Sequence, residues 1–169
     1  METLFQSHLF KVVKKFIKGR SGQDLERHVI LHPGAVVLLP VLPDGRLVFV
    51  KQPRVAVDET LIELPAGTLE PNEPPIETAR RELIEETGYV ASYLEEILTF
   101  YSSPGIMREK MHLFLAKELV PGPSHPEDGE LIEPLCLEMS QALAMIESGE
   151  IKDAKTILGL LWFKQSRKL

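Results

Sequence analysis

The sequence predicts an α+β domain, a mixed β-sheet held between helices. Three observations carry that expectation. Runs rich in β-branched and apolar residues recur through most of the chain, one helical segment interrupts them in the interior, and two more close it. At 169 residues the chain is long enough to build one core without staples. Hydrophobic content of 44% and charged content of 26% are those of an ordinary globular protein. A net charge of −6 argues against general affinity for nucleic acid or an anionic membrane surface. The single cysteine, Cys136, excludes an intrachain disulfide framework and fits a reducing compartment. In the apolar run LCL it reads as a small core residue. No run reaches 18 apolar residues, and the lysines of METLFQSHLFKVVKKFIKG are scattered rather than grouped ahead of an apolar stretch. The expected location is therefore the cytoplasm.

Taken in order, LFKVVKKFI suits a strand or a helix, and we favour a strand. HVILHPGAVVLLPVL and RLVFVKQ flank Pro43-Asp44-Gly45, which is turn chemistry, and predict a hairpin. TLIELP reads as a short strand ending at Pro65. A helix is expected from about Pro74 to Thr87, because proline is tolerated where first-turn amides lack partners and Gly88 suits a left-handed C-terminal cap. YLEEILTFYSS and EKMHLFLAKEL read as long strands around a Pro104-Gly105 loop. PGPSHPEDGE is the most loop-like segment. The strand IEPLCLE precedes a helix that Ser140 could cap and that ends near Gly149, and Asp153 could cap a last helix through AKTILGLLWFKQ.

The interior helix raises the chemical question. Glu82, Glu85 and Glu86 share a face at i, i+3 and i+4, where like charges repel by a few tenths of a kcal/mol. The apolar stripe is expected at Ile76, Ala79, Leu83 and Thr87, with the acids rotated roughly 100° from it. Arg81 stands four residues from both Glu77 and Glu85 and could restrain either. The acidic face is either solvated or a cradle for a divalent cation, since Mg²⁺ prefers carboxylate and carbonyl oxygens. Gly67, without a Cβ, would let a backbone carbonyl such as that of Ala66 turn toward the acids.

Gly67, five residues, Glu73, seven residues and then RELIEETGY resemble the Nudix box, with every fixed position filled: Gly67, Glu73, Arg81, Glu82, Glu85, Glu86 and Gly88. Leu83 fills the first apolar slot, and Tyr89 is slightly off type in the last. The resemblance implies an α/β/α sandwich that hydrolyses a nucleoside diphosphate linked to another group. It implies Mg²⁺, or Mn²⁺, held by Glu82, Glu85, Glu86 and the Ala66 carbonyl, with Glu73 and Arg81 bracing the site and Glu85 counted among the catalytic residues too. FYSSPGIMREKMHLFLAKEL, HPGAVVLLP, KQPR, ELPAG and GEIKDAKTILGLLWF are similar to ADP-ribose pyrophosphatases of that family, as is Pro104 standing 16 residues after Gly88. That subgroup implies ADP-ribose as substrate. It implies residues 1–27 as an N-terminal strand extension exchanged in a homodimer, and residues 28–169 as the Nudix domain. Arg54 and Glu63 would line the nucleotide pocket, Pro104 and Gly105 would also bind substrate, and Glu109, just beyond them, would reach the terminal sugar. One departure from the subgroup is Met107-Arg108 in place of a small polar or acidic pair. A cation there either favours a more negative substrate or simply faces water.

HPEDGELIE reads on composition as a solvated loop and by resemblance as the catalytic loop. In it Glu130 would act as metal ligand or base, with Asp128 the other base and Glu127 and Glu133 weaker ones. His28 and His32 would form a metal pair only on a helix, and their segment reads as a strand. His112 and His125 suggest no site either. Lys14-Lys15 and the basic C-terminus read as solvated ends. No Gly-x4-Gly-Lys-Ser/Thr phosphate loop occurs. Competing readings are hydrolysis of other nucleoside diphosphate sugars such as GDP-mannose or ADP-glucose, a non-catalytic ADP-ribose-binding module, which should have lost box acids, and an RNA-end pyrophosphohydrolase, which the acidic balance disfavours.

Overall fold

A computed structural model describes residues 1–122 and 131–166. Strands β1 (Glu2–Gln6), β2 (Lys11–Lys18) and β3 (Asp24–Leu31) form an antiparallel meander, and the two-residue β9 (Met107–Arg108) joins β3 in parallel. The ambiguous LFKVVKKFI is thus a strand. A second, mixed sheet runs in the order β7 (Ala66–Thr68), β4 (Ala35–Pro40), β10 (Lys110–Pro121), β8 (Tyr89–Tyr101). Here β4 is parallel to β10, and the other pairings are antiparallel. A third sheet is antiparallel, with β5 (Leu47–Arg54) between β11 (Glu133–Leu137) and β6 (Glu59–Glu63).

The expected hairpin between β4 and β5 survives only at its tip. Gly45 N–H donates to Leu42 O and Leu42 N–H to Arg46 O, and Val41 bridges Leu47. Beyond that bridge the strands part into different sheets. Both are apolar on both faces, so each is buried between layers instead of resting one face on water.

Alternation along the strands builds the two cores. Ala35, Val37 and Leu39 of β4, with Met111, Leu113 and Leu115 of β10, face α2 (Met139–Ser148) and α3 (Ala154–Ser166). Val36 and Leu38, with Phe114 and Ala116, face Ala79 and Leu83 of α1 (Pro75–Thr87). Sheets therefore lie between helices, as expected for the α/β/α sandwich. Cys136 packs beside the second core and is a free thiol.

Two expectations at helix termini are corrected. Glu138, not Ser140, caps α2: its carboxylate and the Gln141 side chain satisfy each other's backbone N–H groups in a capping box. Ile76 is exposed, and Thr78 takes the inward position beside Ala79. Asp153 does cap α3, accepting from Thr156 N–H at 3.0 Å and Thr156 Oγ1 at 2.6 Å. Among the described residues no helix is long and apolar enough to cross a membrane.

Candidate active site

Helix α1 starts where the prolines dictate, with Pro74 extended at the N-cap and Pro75 at the first helical position. It stops at Gly88, whose φ of 70° is left-handed and whose N–H donates to Ile84 O at 2.9 Å. Its glutamates do not share one environment. Glu85 and Glu82 side chains are 25% and 13% exposed, at the edge of the buried face as expected, whereas Glu86 is only 6% exposed and lies within that face. Glu86 follows Leu83 by three residues, so it belongs to the inward stripe.

The repulsion among these acids is offset by Arg81. Its Nη1 donates to Glu82 Oε1 at 2.8 Å and Glu85 Oε2 at 2.9 Å, and its Nη2 donates to Glu73 Oε2 at 3.2 Å. Thr78 Oγ1 donates to the same Glu73 oxygen at 2.8 Å. Arg81 thus restrains Glu85 and not Glu77, which instead lies 4.0 Å from Arg80. Hydrogen bonding from Arg81 holds the Glu73 carboxyl below its ordinary range. Burial works against the Arg81 charge, yet Glu73, Glu82 and Glu85 outweigh it and leave the guanidinium more basic than usual.

Glu86 Oε2 accepts from Ala66 N–H at 2.9 Å, which ties the helix to β7. Next to it, Gly67 leaves space for Glu82. A Cβ on Gly67 would stand 1.8 Å from the Glu82 carboxyl carbon, far inside contact distance. Clustered hard oxygen donors, with a backbone pared to glycine where one of them lies, fit a divalent cation by chemistry. Among the described residues, no three acidic, histidine or cysteine side chains are grouped as a ready ligand set. Glu82 and Glu85 are turned to Arg81 instead.

A cleft of about 1210 Å³ connects these groups with the others the sequence singled out. Ala66, Glu82, Glu85 and Glu86 line it together with Arg54 and Glu109. Glu109 Oε1 stands 3.6 Å from His32 Nδ1, which itself accepts from Gly34 N–H at 3.1 Å.

Glu63 does not line the cleft. It is 1% exposed, behind Arg54, whose Nε and Nη2 each donate to it at 2.8 Å. Pro104 and Gly105 do not line it either: they form the turn before β9, and a Cβ on Gly105 would meet only open space. Asp128, Glu130, Glu127 and His125 lie outside the described residues, whereas Glu133 opens β11 on the far side of the third sheet's central strand from β6.

Sequence reasoning missed Lys155, whose ammonium also bonds Glu63 and lies 3.0 Å from Asp153. No local signal joins residues 92 positions apart. Thr156 Oγ1, on the next residue, accepts from Leu64 N–H at 2.7 Å, so the start of α3 pins the chain just ahead of Ala66.

Burial alone would raise the Glu63 carboxyl, but the Arg54 hydrogen bonds and Lys155 outweigh it and hold it below the ordinary value of 4.5. A carboxyl lowered on folding stabilises above its unfolded value, and that contribution disappears as pH falls through the folded one. Glu63→Gln should therefore melt less steeply with acid below about pH 4.5 and lose about 3 kcal/mol at pH 7, since Lys155 stays buried with less compensation. Thermal melts from pH 7 to 3 check this, and an unchanged acid slope would count against the ion pair.

A sandwich of sheets between helices, presenting the glutamates of one helix to a cleft beside a glycine-bearing strand, is the arrangement that the box resemblance implies. Residues 31–158 match the NUDIX domain, and the chain belongs to the Nudix family. It is 36% identical to the ADP-ribose pyrophosphatase of Bacillus subtilis (strain 168), across 99% of this chain and 92% of that one. It is 41% identical to the GDP-mannose pyrophosphatase of Salmonella typhimurium, across 79% and 74%. A solved structure described as an ADP compounds hydrolase superposes with a TM-score of 0.86 at 22% identity, covering 99% of this chain and 91% of that one, a likeness of fold.

Proposed function

We propose that this Nudix hydrolase cleaves the diphosphate bond of ADP-ribose to AMP and ribose 5-phosphate. The observation that carries the reading is the meeting of the box glutamates, Ala66, Arg54 and Glu109 around one cleft. In the reaction, a water oxygen bonds to one phosphorus while the bridging oxygen leaves with the other. The two protons of water pass to the resulting monoesters or to solvent. Glu82, Glu85, Glu86 and the Ala66 carbonyl would hold Mg²⁺ or Mn²⁺, which supplies Lewis acidity and an acidified water.

The protein's own part is positioning. Arg81 keeps Glu82 and Glu85 beside each other, Glu73, itself bonded by Thr78, holds Arg81 in turn, and the Ala66 N–H fixes the Glu86 carboxylate. Arg54, oriented by Glu63, faces the nucleotide, and Glu109 faces the terminal sugar. Asp128 or Glu130 is the base that takes the proton of water.

EDTA should abolish AMP release measured by chromatography, and Mg²⁺ or Mn²⁺ should restore it. Hydrolysis that persists in chelator would contradict the metal role. The likeness to GDP-mannose pyrophosphatases supports a second substrate, GDP-mannose, which the same assay separates by product.

Residues 1–27 are read as an N-terminal strand extension exchanged between the two subunits of a homodimer. Phe5, Phe16 and Ile17 are 55%, 59% and 50% exposed there, apolar side chains that a second copy would bury. Light scattering should give the mass of a dimer, and a monomer at micromolar concentration would refute it. The single cysteine fits the cytoplasm as the place of action.

A further inference from the structure

Five cations line the cleft, and three of them are committed. Arg54 and Lys155 serve Glu63, and Arg81 serves the box acids. The side chains of the other two, Lys11 and Arg108, have no hydrogen-bond or ion-pair partner among the described residues. They are far apart in sequence but adjacent in the sheet: Lys11 pairs with Leu31, and Leu31 pairs with Arg108. Residues facing one another across strands project from the same face. Leu31 lines the cleft with both cations, as do the adjacent Phe10, His32 and Glu109, so this end of the sheet borders the cleft. Two strand spacings put the Lys11 and Arg108 backbones about 10 Å apart, and both long side chains can converge above Leu31.

Two uncommitted cations in a cleft are a site for an anion, and a guanidinium beside an ammonium suits the tetrahedral oxygens of a phosphate. The box acids would repel a free phosphate, so the anion must arrive attached to a substrate that the rest of the cleft already binds. Arg108 directly precedes Glu109, the residue read above as facing the terminal sugar. We propose that Lys11 and Arg108 select a nucleoside diphosphate sugar whose terminal sugar carries a phosphomonoester. This rests on the proposed function and narrows its substrate class. The bond cleaved is the same diphosphate bridge, so ADP-ribose 1″-phosphate would give AMP and ribose 1,5-bisphosphate.

The test compares kcat/KM for ADP-ribose, ADP-ribose 1″-phosphate and ADP-ribose 2′-phosphate, at fixed Mg²⁺ and ionic strength, in the full chain and in its Lys11→Ala, Arg108→Ala and Arg108→Lys variants. The wild type should favour the 1″-phosphate over ADP-ribose by about tenfold or more, with no such gain for the 2′ isomer. That ratio should fall toward one in Arg108→Ala, fall several-fold in Lys11→Ala, and be partly kept in Arg108→Lys. A wild-type ratio near one, a preference for the 2′ isomer, or a preference that survives both alanine variants overturns the proposal. Absence of turnover on all three would instead defeat the proposed hydrolysis. Calorimetric binding of the same ligands would then read the same ratio, and equal affinities would overturn the phosphate site.

Discussion

Glu86→Gln is expected to lower kcat by about 10²–10⁴-fold, the equivalent of about 3–5 kcal/mol of lost transition-state stabilisation. The substitution keeps nearly every atom in place. A glutamine oxygen can still accept the Ala66 N–H that Glu86 accepts at 2.9 Å, so the tie between α1 and β7 is preserved. What disappears is a full negative charge on the most buried of the three helix glutamates, where a divalent ion gains most from it. The melting temperature should stay within a few degrees of the parent. Turnover comparable to the parent in a folded variant would remove Glu86 from the metal site.

Gly67→Ala should separate activity from stability in a second way. Glycine here is not needed for a left-handed backbone: Gly67 pairs with Val36 in β7, and its φ is not in the positive range. It is needed for space. The new Cβ would fall 1.8 Å from the Glu82 carboxyl carbon, and that carboxylate, the end of a flexible side chain, must swing aside. The fold loses little, within about 1 kcal/mol, which is about 2–4 °C in Tm for a chain of this size. Catalysis loses much, because a catalytic group displaced by about 1 Å can cost about 100-fold in rate. Steady-state kinetics and a melting curve on the same preparation check both halves. A variant that keeps its rate would show that the position of Glu82 does not matter.

The sequence was most legible where local chemistry decides structure. Pro74, Pro75 and Gly88 bound α1, Asp153 caps α3, and apolar alternation marks the strands. It was less legible where distant partners decide. The turn at Pro43-Asp44-Gly45 announces a hairpin, but β7 and β10 claim β4 while β6 and β11 claim β5, and competition among remote strands leaves no local trace. Glu63 illustrates the same limit within the site. Its place between Arg54 and Lys155 makes it a buried support for the cleft wall, an arrangement fixed by the return of α3 after 92 residues. At the acid cluster, repulsion at i, i+3 and i+4 suggested a divalent cation, and the partner the structure describes is Arg81, already in the box, which bonds Glu82 and Glu85, two of the acids proposed to receive the metal.

The central claim is that the glutamates of α1 hold divalent ions against a bridging diphosphate. Crystals grown with Mn²⁺ and an ADP-ribose analogue carrying methylene in place of the bridging oxygen test it most directly, by anomalous scattering at the manganese edge. The account predicts peaks among Glu82, Glu85, Glu86 and the Ala66 carbonyl, in contact with the phosphates. Bound analogue with no peak at those oxygens, or manganese held elsewhere in the chain, would contradict it.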